Sequence, residues 1–143
     1  MLYYILINMN KINLLLTTAN GNLASSKDLI KNAVKKAEEY AFAKLNIDWD
    51  IDVIITNHMT FELIPEDGVG GRTYWSDLIT LCIDEKKMSK SKLTEVLVHE
   101  LCHAARWGKN GEWMNSLFDG IINEGIATYF EAEFAKTRTE KQF

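Results

Sequence analysis

The sequence predicts an α+β domain in which a small mixed sheet packs on helices. Three observations carry this expectation. Short runs rich in Ile, Leu, Val and Thr recur at 12–18, 49–57 and 78–84. Helical periodicity occupies about 25–45, 89–107 and 112–136. A stretch with three glycines and the only proline, 61–77, lies between strand signals rather than between domains.

"INLLLTT" (12–18) is apolar and partly β-branched, and "ANGN" after it supplies a turn, so the run reads as a strand. Ser25-Ser26 can cap a helix to about Leu45, with Leu29, Ala33, Ala37, Tyr40 and Ala41 at three- and four-residue spacing. "WDIDVIITN" (49–57) alternates acid and apolar residues before turning apolar, which fits a strand with one wet end. "FELIPEDGVGGRTYWSD" (61–77) reads as loop, and "LITLCID" (78–84) as a strand. A second helix runs from about Ser89 to Trp107, where the glycines of "GKNG" (108–111) end it. A third spans about Glu112 to Lys136, with a break expected near Gly120 and a polar tail over 137–143.

A chain of 143 residues, 47% apolar and 25% charged, is the size and composition of one soluble domain, expected over 1–143. The net charge of −4, with no basic block, argues against nucleic acid as a partner. "MLYYILI" is apolar but lacks a basic leader and breaks at Asn8, so residues 1–8 read as an extension or an added strand, with Met9 as an alternative start. No apolar run approaches the ~18 residues that a membrane span needs. Cys82 and Cys102 sit in strand-like and helix-like surroundings and read as buried thiols rather than a disulfide. The expectation is a cytoplasmic protein.

The chemistry concentrates in "HELCHAARW" (99–107). His99 and His103 are one helical turn apart and can aim two imidazoles at one point. Glu100 stands about 100° round the helix from His99, where it can border a metal without binding it, as a general base for activated water must. Leu93, Leu97, Leu101, Ala104 and Ala105 form an apolar stripe that would bury the other face. Zinc in hydrolases takes three protein ligands and leaves a fourth position open. The candidate third ligand is Glu124 in "NEGIATYFE" (123–131), 21 residues after His103, enough chain to reverse and lay a second helix on the first. Gly125 beside it would allow the helices to approach closely. The alternative is a solvent-facing acid near a helix N-terminus.

"HELCH" followed by "NEGIATYFE" resembles the gluzincin metallopeptidases, whose pattern is H-E-x-x-H with a glutamate ligand on the next helix. More closely, "VLVHELCHAARW…LFDGIINEGIATYFEAEF" resembles a family of predicted zinc-dependent proteases classed as a domain of unknown function. That family has the form H-E-x-x-H-x-x-R-W, then E-G-x-A with aromatic and acidic residues following. The close match covers about residues 96–134. The resemblance implies a minimal zincin-like fold, one catalytic Zn2+ held by His99, His103 and Glu124, and hydrolysis of a peptide or protein substrate with Glu100 as the base.

An oxyanion donor is also needed, and Tyr129, Arg106, Tyr74 and His58 are all candidates. Arg106, three residues after His103, either faces the cleft or locks Glu131 or Glu124. Thr128 and Glu131, four and seven residues after Glu124, share its face and are candidates to orient the imidazoles. In zincins the strand before the catalytic helix, here "LITLCID", corresponds to an edge strand that pairs with extended substrate, and "GVGGRTYW" would be a mobile rim or a simple turn. The rival reading is a protease-like module that binds a partner and cleaves nothing. An intact Glu100 favours the enzyme, since a pure binding module has no use for the base.

Overall fold

Alternation along the strands sets which side of the sheet is buried. Ile12, Leu14 and Leu16 lie beside Ile51, Val53 and Ile55 in parallel register, and Val53 and Ile55 lie beside Ile79 and Leu81. All eight are fully buried, while the intervening Asn13 and Asp52 face outward and hydrogen-bond each other. The computed structural model describes residues 4–58, 63, 66–110 and 116–140. Within them the strands are β1 (Tyr4–Asn8), β2 (Ile12–Thr17), β3 (Ile51–Thr56), β4 (Val69–Trp75) and β5 (Leu78–Ile83), and the helices are α1 (Lys27–Lys44), α2 (Lys90–Asn110) and α3 (Leu117–Glu140). The sheet order is β1-β2-β3-β5-β4, with the three middle strands parallel and each outer strand antiparallel to its neighbour. The fold is α+β with a mixed sheet, as the sequence predicts.

The helices bury their apolar stripes in the same core. α1 contributes Ile30, Ala33, Val34, Ala37 and Ala41, and α2 contributes Leu93, Leu97, Leu101, Ala104 and Ala105. Leu29, expected in the α1 stripe, is exposed, because Ile30 and Val34 take the inward positions. α3 reaches this core with its C-terminal half, where Phe130 and Phe134 stack against Tyr40 of α1. None of the described helices is long and apolar enough to cross a membrane. No disulfide forms between Cys82 and Cys102, and both are buried.

Several boundaries differ from the sequence expectation. Residues 4–8 are a strand, the added-strand alternative. The stretch read as loop contains β4, an edge strand laddered to β5 from Val69↔Ile83 to Trp75↔Leu78 with a bulge near Thr73. "LITLCID" is consequently an interior strand, and the sheet edge beside α2 is β4. Ser26 makes no side-chain cap, since a short 3-10 turn (Leu23–Ser26) leads into α1. Gly108 does not end α2. It lies within the helix where the Trp49 ring packs so close that a Cβ would stand 2.5 Å from it. α3 runs unbroken through Gly120 and on to Glu140. Pro65, Gly111, Glu112 and residues 141–143 of the expected tail lie outside the described residues.

One buried acid has a structural role that local periodicity does not reveal. Glu38 accepts main-chain N–H bonds from Asn10, Lys11 and Ile12 at 3.2, 3.1 and 2.9 Å, closing the β1–β2 turn onto α1. Glu38→Ala would leave those donors without their acceptor, with an expected loss of about 2–4 kcal/mol in unfolding free energy. Urea denaturation of the two proteins measures it.

Candidate metal centre

α2 and α3 lie together because apolar residues on each exclude water between them, and a polar clamp fixes their register. Arg106 Nη2 donates to Oδ1 of the buried Asn123 at 3.2 Å. The next residue along α3 is Glu124, so the clamp delivers its carboxylate to the two histidines of α2. His99 Nε2 and His103 Nε2 stand 3.1 Å apart, and the two oxygens of Glu124 lie 3.3 Å from one and the other. Three ligand atoms, one from each residue, fall within 4.8 Å of one another. The edge of a tetrahedron with zinc–nitrogen bonds of ~2.0–2.1 Å is about 3.3 Å, so this spacing suits that ion.

The electrostatics point the same way. His99 Nδ1 lies 3.0 Å from Glu131 Oε2. A carboxylate only accepts, so Nδ1 carries the proton and Nε2 of the neutral ring presents a lone pair to the site. Burial disfavours the His99 imidazolium, yet the hydrogen bond to Glu131 and the charges of Glu100, Glu131 and Glu124 outweigh it and raise the pKa. The position therefore attracts positive charge, whether a proton or a metal ion. Two nitrogens and a carboxylate form a donor set that zinc accepts, with an oriented histidine behind it.

Glu100 is buried against β4. Thr73 Oγ1 donates to Glu100 Oε2 at 2.7 Å and contacts its main-chain oxygen at 3.0 Å. Gly71 makes this approach feasible, because a Cβ there would stand 2.6 Å from Glu100 Cγ. Burial pushes the Glu100 carboxyl above the usual carboxylate range, against the lowering effect of Thr73 and the two histidines. A cavity of about 590 Å³ opens over the group, floored by α2, with β4 on one side and Glu124, Thr128 and Glu131 of α3 on the other.

The structure thus brings together His99, His103, Glu124, Glu100, Glu131 and Thr128 of the residues singled out in the sequence. It does not bring in the donor candidates. Tyr129 is five residues from Glu124, about 140° round α3, and its ring is exposed away from the cavity. Arg106 clamps the helices and is not among the cavity's lining residues. Tyr74 sits at the irregularity in β4, is exposed, and is not among the cavity's lining residues. His58 is exposed beyond β3, where its carbonyl accepts Cys82 Sγ. Gly125 is not at the helix contact, since nothing lies within 4 Å of where its Cβ would be. Thr73, Gly71 and Arg72, all lining the cavity, belong to the segment read as a rim or a turn, and none of the three was assigned a role from the sequence because the segment reads as loop.

A comparison with curated proteins finds no match. A family model does match, and it covers α1 through α3 rather than the histidine motif alone. With residues 28–141 matched, the chain belongs to the family described as "Predicted Zn-dependent protease (DUF2268)".

Proposed function

We propose that the chain is a zinc-dependent peptidase of gluzincin type with a minimal zincin-like active site. The observation that carries this reading is the convergence of His99 Nε2, His103 Nε2 and the Glu124 carboxylate, with a buried, hydrogen-bonded Glu100 on the same helix. His99, His103 and Glu124 would hold the ion. Zinc bound there would supply a Lewis acid for a peptide carbonyl and an acidified water.

The remaining chemistry belongs to the chain. Glu100 takes the proton of the attacking water and returns it to the leaving amine nitrogen, from a position on α2 that borders the proposed ligands. Thr73 keeps that carboxylate aimed, and Glu131 keeps His99 in the ligating tautomer. β4 is an edge strand beside the cavity, so an extended peptide can add to it through main-chain hydrogen bonds, with little demand on sequence. The experiment is digestion of a peptide library by the zinc-loaded chain, with cleavage lost in the Glu100→Gln variant.

The same shifts set the pH dependence. In the metal-free chain Glu100 should hold its proton to a pH above the ordinary carboxylate range, and bound zinc, a cation beside it, should lower that value, as NMR titration of the carboxyl with and without the metal reads. The raised His99 pKa favours the metal-free fold below the ordinary imidazole value, and that contribution is lost as pH rises through the raised value. Zinc runs the other way because it displaces that proton. Its affinity should fall about tenfold per pH unit on the acid side of the His99 titration, as a zinc titration at several pH values measures.

A further inference from the structure

α3 is apolar on two sides, and only one of them is covered. With 100° per residue, its buried side carries Asn123, Ala127 and Phe134, while the opposite sector carries Phe118, Ile121, Ile122, Gly125 and Tyr129. Phe118, Ile121 and Tyr129 are 61–68% exposed, and no charged residue lies in that sector between Phe118 and Ala132. Gly125 sits at the centre of the sector with open space above it.

We infer that this face joins two copies of the chain, α3 packing antiparallel against α3 of its partner across a two-fold axis near Gly125. Three arguments select a second copy as the occupant. The exposed apolar area is on the order of 500 Å², so two copies meeting on this face would cover about 1,000 Å² together, the least that a specific interface takes. Each copy carries a net charge of −4, so contact between copies requires a surface without like charges, and this sector is uncharged. An isologous contact needs a self-complementary surface, and large side chains flanking a central glycine let two helices approach at the glycine. The arrangement also bears on the cleft. Thr128 lines the cavity and borders the sector, so the partner copy would stand along the α3 side of the opening. None of this depends on the zinc reading.

Sedimentation velocity of the whole chain tests it. The wild type should sediment at twice 16.4 kDa at micromolar concentration. Phe118→Glu combined with Ile121→Glu should weaken association about 100-fold or more while the far-UV circular dichroism of the monomer is kept. Gly125→Leu gives a second variant, since its side chain enters open space in the monomer but collides with a partner helix, and it too should be monomeric. A wild type that stays monomeric to about 100 µM overturns the inference. So does a dimer that persists in both variants, or a monomer that uses this face only for another protein.

Discussion

Glu100→Gln should retain zinc and lose 10²–10⁴-fold in kcat/KM, about 3–5 kcal/mol of transition-state stabilisation. The substitution preserves the side chain's volume in a site where Gly71 leaves no spare room. The amide can still accept from Thr73, so the carbonyl oxygen keeps its 2.7 Å partner and the fold is not disturbed. What disappears is the capacity to take a proton from water and return it to nitrogen. Zinc content measured beside the kinetics separates the two roles, because Glu100 borders the proposed ligand set without belonging to it. A variant as active as the parent would remove Glu100 from the mechanism.

His103→Ala has the other large expected effect. It deletes one of three donors and should weaken zinc affinity by at least about 10³-fold, roughly 4 kcal/mol. A competition titration against a chromophoric chelator reads this directly. The imidazole is buried, so truncation also lowers stability of the metal-free protein, and the informative quantity is the zinc-dependent part. Wild-type Tm should rise on adding zinc, as linkage requires of any ligand that binds only the folded state, and the variant's Tm should not respond.

The sequence revealed those parts whose cause is local or repetitive. Period-two alternation in β2 and β3 and the three- to four-residue spacing in α2 reflect a single buried face, and both are visible without long-range information. The His99–Glu100–His103 cluster was legible because a helix fixes the relative directions of its own side chains. Glu124 and Glu131 followed because they share one face of α3. β4 was not legible. Its two glycines resemble a turn, and the need for one of them comes from Glu100, which lies 29 residues further along the chain and arrives only through tertiary packing. β1 is marginal for a related reason. Its burial alternates, with Ile5 and Ile7 against the core, but the outward Tyr4 and Leu6 are apolar too, so the sequence shows no polar–apolar alternation. The placing of Arg106 and Tyr129 needed the register between α2 and α3, which a single hydrogen bond to Asn123 helps to set and no local pattern announces.

The most direct test is the zinc content and ligand set of the native chain, from elemental analysis combined with X-ray absorption at the zinc edge. The account predicts one zinc per chain after exposure to micromolar metal and dialysis, with two imidazole nitrogens and carboxylate or water oxygens at ~2.0–2.2 Å. A chain that retains no stoichiometric zinc, or one whose zinc shows a sulfur neighbour at ~2.3 Å, would contradict it.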